Sequence, residues 1–329
     1  MFVTGVAGFI GSQLAARLLS DGHEVTGYDG VTPFYDDGLK QKRLALLHGR
    51  PGFHFVEAML EDGPRLTEAL RASQADVIVH LAAQAGVRYS IEAPQSYISS
   101  NLVGTANLLE AARAHRPRHL VFASTSSIYG GNLDMPFAET DRADNPVSLY
   151  AATKKGCEAM VHAYSHLWGI ASTSMRFFTV YGPWGRPDMA ALKFVRAIDA
   201  GEPIDIYGEG KMRRDFTYID DLIEAIVRVM DRVPVMGESL AGDTLSPVAP
   251  SRIVNLGGGR PRELMDFIAA IEAALGKPAR RNFLPMQQGD VVETYSDVSL
   301  LQQLIGTVPQ TSIEEGTARL VAWYRQTYN

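Results

Sequence analysis

The sequence predicts an α/β protein built on a doubly wound parallel sheet, followed by a smaller C-terminal part. Two observations carry that expectation: short apolar runs recur between amphipathic stretches, and the first run passes through a glycine-rich turn into a helical pattern. The later runs are Val25 to Tyr28, Phe53 to Val56, Val77 to Ala82, His119 to Ala123 and Ser172 to Phe178. Each has the length of a strand and is apolar enough to be covered on both faces. Between them, Ser12 to Ser20 and Gly104 to Ala114 repeat apolar residues at helical spacing. Strands that alternate with helices are joined by crossovers, which makes neighbouring strands parallel and places ligands at their carboxyl ends.

After about Phe178 the alternation gives way to loops rich in Gly and Pro, with helical patterns near Ala190 to Ala200, Ile219 to Asp231, Arg262 to Leu275 and Ser312 to Tyr324. This divides the chain into residues 1–178 and a smaller part, 179–329, some of whose strands and helices return to the first. Pro234 to Pro250 is polar and aperiodic and reads as an exposed loop.

Composition excludes several classes. The 329 residues are 46% hydrophobic, enough for a large core, and the net charge of -6 argues against nucleic acid as a partner. One cysteine, Cys157, cannot form an internal disulfide and reads as a small buried hydrophobe. No apolar run approaches the roughly 20 residues of a membrane helix, so no membrane partner and a cytoplasmic location are expected. No signal-peptide pattern opens the chain, and Met1 to Thr4 reads as a clipped strand. His80, His162 and His166 lack ligand spacing, so no metal is expected.

The first chemical motif is Thr4-Gly5-Val6-Ala7-Gly8-Phe9-Ile10-Gly11, between a strand and a helix. Glycines there permit a tight turn, a close backbone approach to a pyrophosphate and close packing of helix on sheet, with the helix N-terminus facing the anion. Asp29, at the end of the second strand, is placed to bind adenosine ribose hydroxyls and would repel a 2'-phosphate. The sheet is therefore expected to be of Rossmann type, with residues 1–178 taking NAD rather than NADP; the competing reading is a purely structural glycine turn.

Tyr150-Ala151-Ala152-Thr153-Lys154 puts a phenol and an ammonium four residues apart on one helix face. A free tyrosine titrates near 10, roughly, and nearby positive charge favours the phenolate, so Tyr150 is a candidate general base and Lys154 the cation that tunes it. The strand ending at Ala123 runs into Ser124-Thr125-Ser126-Ser127-Ile128-Tyr129-Gly130, which sets hydroxyls at the sheet's carboxyl edge, where one of them would orient a substrate alcohol.

These three motifs, in this order, resemble the extended short-chain dehydrogenase/reductase family over nearly the whole chain. Further matching segments are His80 to Arg88, Asn101, Arg176 to Pro183 and Arg214 to Asp221. The resemblance implies NAD retained through the cycle, a UDP- or dTDP-sugar substrate, and a first step in which Tyr150 takes the proton of the sugar 4-hydroxyl while Thr125 orients it. It implies cofactor contacts from Gly5, Gly8, Phe9, Ile10, Gly11, Asp29, Leu60, Leu81, Ala82, Ala83, Asn101, Ser124, Tyr150, Lys154 and Phe177. It also implies a homodimer packed through helices at about Pro94 to His115 and Leu149 to Trp168.

Within that family, Gly86-Val87-Arg88, Gly182-Pro183-Trp184-Gly185-Arg186-Pro187-Asp188-Met189-Ala190 and Pro285 to Asp290 look like UDP-glucuronate 4-epimerases, which implies UDP-glucuronate and UDP-galacturonate as the substrate pair. Dehydratases and decarboxylases of the family carry an acid two or three residues before the tyrosine of the Thr125 motif. Here those places hold Ser126 and Ser127, hydroxyls that hydrogen-bond a carboxylate but transfer protons poorly. The resemblance assigns Ser126, Ser127 and Thr179 to the substrate carboxylate, with Arg88 or Arg186 as its charged partner, Arg214 to the diphosphate, Asp290 to the uridine ribose, and Met189 to Lys193 to the uridine diphosphate. The competing readings are interdomain salt bridges for the arginines and a plain strand position for Thr179. At the level of function they are a 4-epimerase of neutral sugars such as UDP-glucose or UDP-N-acetylglucosamine, and a non-catalytic NAD-binding sensor.

Two positions depart from the family's pattern. Met59 stands where relatives carry an Asp toward the adenine, leaving backbone around Leu60, or Asp62, for that contact. Gly30 follows Asp29 where relatives commonly have Asn.

Overall fold

The computed structural model describes residues 1–35, 37–287 and 291–328. Six strands build the first half: β1 (Phe2–Thr4), β2 (Val25–Asp29), β3 (Phe53–Glu57), β4 (Val77–His80), β5 (His119–Thr125) and β6 (Ser172–Phe177). The chain then leaves the sheet for β7 (Thr179–Tyr181), β8 (Pro203–Tyr207) and β9 (Arg213–Tyr218), and comes back for β10 (Ser251–Leu256). It leaves again for β11 (Pro261–Glu263), β12 (Arg280–Leu284) and β13 (Glu293–Thr294). The main sheet has the order β10-β6-β5-β4-β1-β2-β3, every pair parallel. Strand order reverses between β1 and β4, which opens a crevice at the carboxyl edge between the two halves.

Helices cross between these strands: α1 (Phe9–Ser20), α2 (Asp37–Ala45), α3 (Gly63–Ser73), α4 (Tyr89–Glu92), α5 (Pro94–Tyr97), α6 (Gly104–His115) and α7 (Leu149–Trp168). The C-terminal part adds α8 (Ala190–Ala200), α9 (Ile219–Met230), α10 (Leu264–Leu275), α11 (Ser299–Ile305) and α12 (Ile313–Tyr328). Between α5 and α6, Ile98–Val103 winds as a π-helix, so the single helix expected from Pro94 to His115 is broken into three windings.

Alternation along the strands splits the core between the two faces of the sheet, because successive side chains point opposite ways. Phe2, Ile78, Leu120 and Phe122 enter one cluster with Leu66, Leu108 and Val161, while Val3, Val79, Val121 and Met175 enter another. The second cluster continues without a break into Phe267, Ile271, Val321 and Tyr324 of the C-terminal part. With β10 hydrogen-bonded along β6, the two parts of the chain share one sheet and one core. Among the described residues no helix is long and apolar enough to cross a membrane, and no group of His, Cys, Asp and Glu is placed to hold a metal ion.

Candidate active site

The chain turns sharply after β1. Gly5 has φ 75°, and a Cβ there would lie 2.7 Å from the backbone nitrogen of Ala82, so a side chain is excluded by conformation and by space. Gly11 touches the same turn: a Cβ would come 2.1 Å from the Gly5 carbonyl oxygen. The loop therefore lies flat on Leu81 and Ala82 at the end of β4. Gly8 caps α1 without a side-chain acceptor, which leaves the first amides of that helix, around Phe9, Ile10 and Gly11, facing the crevice. Ala83 continues the chain out of β4, directly after Ala82.

At the end of β2 the Asp29 carboxylate accepts hydrogen bonds from Ala7 N (2.9 Å) and Val31 N (2.8 Å). Burial raises its pKa, and the two amides with Lys40 and Arg43 pull it back. Leu60 is a core residue whose carbonyl accepts from Asn107 Nδ2 at 3.0 Å, and Asp62 is engaged as the N-cap of α3. The backbone carbonyl and carboxylate expected near an adenine thus have structural partners of their own. Met59 lies over Gly30: a Cβ on Gly30 would fall 2.3 Å from the Met59 sulfur, so these two departures from the family pattern fit each other.

Tyr150 stands in the first turn of α7 because Ser148 caps that helix, accepting from Ala151 N at 3.1 Å. Its phenol shares a hydrogen bond with Thr125, the residue that ends β5. Burial pushes the phenol up, while Thr125 and Arg186 pull it down; among the described residues no carboxylate acts on it. Lys154, one turn on, is buried with Nζ 4.3 Å from the centre of the Phe122 ring, and burial lowers its ammonium to about 8. Thr125 also organises the serine turn, accepting from Ser127 N and donating to Ser127 Oγ, each at 3.2 Å. Ser126 and Ser127 are half-buried there, and Phe177 pairs in register with Thr125.

Asn101 sits inside the π-helical turn, where its carboxamide accepts from Gln84 N (2.8 Å) and donates to Gln84 O (3.1 Å) and Thr153 Oγ1 (3.0 Å). It fixes the segment after β4 to the helix that carries Tyr150. Such π-bulges concentrate at functional sites. Behind the catalytic face, Ser124 donates to Glu158 (2.6 Å), and Glu158 takes both Nε and Nη2 of Arg176 at 3.0 Å. Arg176 Nη1 donates to the Tyr129 hydroxyl (3.0 Å), which donates to Asn255 (2.6 Å). Sequence reading missed Glu158 as part of this chain; the signal was an acid one helical turn beyond Lys154 on the same buried face.

The substrate side is less gathered. Arg186 makes a two-point ion pair with Asp188 (3.0 and 2.5 Å) and reaches Ala85 O at 3.4 Å, close enough to Tyr150 to act on its phenol. Burial disfavours its charge, but Asp188 more than compensates. Arg88 is exposed and stacks on Tyr207, 5.1 Å from its ring centre. Thr179 is half-buried at the start of β7, directly after Phe178. Met189 and Lys193 lie exposed at the entry to α8 and on its first turn. Arg214 folds back on the carbonyls of Val291 (2.7 Å) and Val292 (2.9 Å); Asp290 lies outside the described residues. Trp184 packs on Trp323 at 5.2 Å between ring centres.

Residues 1–240 match the NAD dependent epimerase/dehydratase family, well over half of the chain. The chain belongs to that family. As such an epimerase/dehydratase it is 58% identical over 331 residues to a probable UDP-glucuronate 4-epimerase of Rhizobium meliloti (strain 1021), covering 99% of this chain and 97% of that protein. UDP-glucuronate 4-epimerase 1 of Arabidopsis thaliana is 44% identical over 335 residues, covering 100% of this chain and 77% of that one. A UDP-glucuronic acid 4-epimerase from Bacillus cereus, crystallised with UDP-glucuronic acid and NAD, superposes with a TM-score of 0.89 at 32% identity over 99% of both chains.

The family's NAD fits the residues present. The flat glycine turn, the open first amides of α1 and the Asp29 carboxylate beside them supply a surface for a pyrophosphate and an acceptor for ribose hydroxyls, and the carboxylate disfavours a 2'-phosphate.

Proposed function

We propose that this epimerase/dehydratase interconverts UDP-glucuronate and UDP-galacturonate by reversible epimerisation at C4. The observation that carries the reading is the Thr125–Tyr150 pair set among hydroxyls, with no carboxylate among the described residues acting on the phenol. Tyr150 takes the proton of the sugar 4-hydroxyl, Thr125 holds that hydroxyl in line, and Lys154 keeps a positive charge buried one helical turn away. Bound NAD supplies a reversible acceptor for the C4 hydrogen and its electron pair. Gly5, Gly8, Phe9, Ile10 and Gly11 hold its pyrophosphate side, Asp29 and the backbone near Leu60 its adenosine, and Leu81, Ala82, Ala83, Asn101, Ser124 and Phe177 line the path to the sheet edge.

The 4-keto sugar formed from a uronate is a β-keto acid, which loses carbon dioxide once the bond from C5 to its carboxylate aligns with the carbonyl π system. Ser126, Ser127 and Thr179 grip the carboxylate out of that alignment, and Arg186 or Arg88 supplies the charge-assisted contact. No acid stands in the serine turn to drive elimination, so the ketone turns over and is reduced on its other face. Arg214, Met189 and Lys193, with Asp290, take the uridine diphosphate.

We also propose a homodimer through the windings from Pro94 to His115 and through α7, where Val103, Leu167 and Trp168 leave apolar surface exposed, and a reducing cytoplasm as the compartment that suits the free thiol of Cys157. The decisive assay gives purified protein UDP-glucuronate without added reductant and follows products by NMR. UDP-galacturonate is the expected product. Stoichiometric NADH, a UDP-pentose as main product, or preference for UDP-glucose in competition would refute the assignment, the last in favour of a neutral-sugar epimerase.

A further inference from the structure

Arg43 is fully buried, yet it lies outside the motifs that bear chemistry. Its Nη1 donates to the carbonyl of Ala7 in the glycine turn (3.3 Å) and to the Tyr35 hydroxyl (2.8 Å). Its Nε and Nη2 donate to the carbonyl of Trp184 (3.1 and 2.5 Å), and Nη2 also to that of Gly185 (3.1 Å). A guanidinium withdrawn from water is tolerated only with its donors satisfied, and only its planar fork reaches two segments at once. The Ala7 peptide is held on both sides, since its N–H donates to Asp29. One continuous chain of contacts therefore runs from the Asp29 carboxylate through Ala7 and Arg43 to Trp184 and Gly185, next to Arg186.

The far end of that chain is under tension of its own. Trp184 has φ 64°, a conformation that a bulky residue rarely adopts, while its ring is docked on Trp323. Turning its carbonyl toward Arg43 is what this backbone accomplishes. The same segment carries Arg186 toward Tyr150 and leads directly into α8, and Gln13 Nε2 ties its Pro183 carbonyl to α1 at 2.9 Å.

We propose that Arg43 is a positioning residue that couples the two halves of the site. By clamping residues 183–185 to the glycine turn, it makes occupation of the NAD side favour the arrangement of Arg186 and α8 that receives the nucleotide sugar. The proposal rests on the function proposed above, but its test does not depend on turnover.

On protein freed of any retained nucleotide, titration calorimetry measures NAD and UDP binding, each alone and each with the other present, for the wild type and for Arg43→Lys, which keeps the charge but loses the fork. In the wild type each ligand tightens the other about tenfold, within the usual range of such couplings. In Arg43→Lys the coupling falls to about onefold, and in turnover the KM for the nucleotide sugar rises about tenfold while kcat changes less than threefold. If Arg43→Lys does not fold, judged by circular dichroism, Gln13→Ala and Tyr35→Phe each lose part of the coupling. Two ligands that bind independently in the wild type, or a folded Arg43→Lys with coupling intact, or unaltered coupling in both substitute variants, overturn the proposal. Failure to bind UDP or NAD at all overturns the functional assignment instead.

Discussion

Lys154 is a charge that the fold holds against its own stability. In the folded chain it loses its proton near pH 8, against 10.5 when free, because burial disfavours the ammonium. At about 1.4 kcal/mol per unit, that shift corresponds to a cost of about 3 kcal/mol at pH 7. The face of Phe122 returns about 1 to 2 kcal/mol through its attraction for the cation. Lys154→Met, which keeps the length of the stem and removes the charge, is therefore expected to stabilise nucleotide-free protein by about 1 to 2 kcal/mol at neutral pH while abolishing turnover. The pH dependence has a definite sign. Between pH 8 and 10.5 the unfolded chain binds the proton that the folded chain has released, so wild-type stability rises with pH across that window. Below it the full cost is present, and above it the cost is gone. Thermal melts of both proteins at steps from pH 7 to 10.5 read the difference directly. A variant that melts at or below the wild type at pH 7, or an advantage undiminished at the alkaline end, would refute the reasoning.

Three further outcomes are expected. Tyr150→Phe keeps NAD binding, measured by calorimetry, and loses turnover by about a hundred- to ten-thousand-fold; retained turnover removes the phenol from the mechanism. Glu158→Gln leaves Arg176 buried without its carboxylate and costs about 3 to 5 kcal/mol in urea denaturation, with a loss under about 1 kcal/mol contradicting the importance of the pair. Gly30→Asn collides with the Met59 sulfur and weakens NAD binding, and adding Met59→Ala restores it; additive effects in that double-mutant cycle would mean the two positions do not interact.

What was legible in advance was local. The glycine turn and the Tyr150–Lys154 pair follow from spacing alone, because a strand-turn-helix junction and one helical turn are set by residues within a few positions of each other. The doubly wound sheet was legible for a related reason, since alternating apolar runs and amphipathic stretches leave parallel pairing as the way to cover both strand faces. Beyond Phe178 those signals fail: β8 pairs with β12 and β10 with β6 across many tens of residues, and nothing in a short window specifies such partners.

Side chains whose role depends on distant partners were equally hidden. Arg43 lies on the apolar stripe Leu39, Arg43, Leu47, an anomaly visible in the sequence, but the carbonyls that satisfy it belong to Ala7, Trp184 and Gly185. The sequence does not show that the Asn101 amide ties Gln84 to Thr153, a junction created only when the π-turn brings three elements together. By itself the sequence determined which chemical groups are available and their order along the sheet edge, because covalent spacing and backbone periodicity are local constraints. Only the tertiary structure decided which of those groups are buried, which charges compensate them and which loops are clamped to one another, because burial and ion pairing depend on whatever the rest of the chain delivers to the same place.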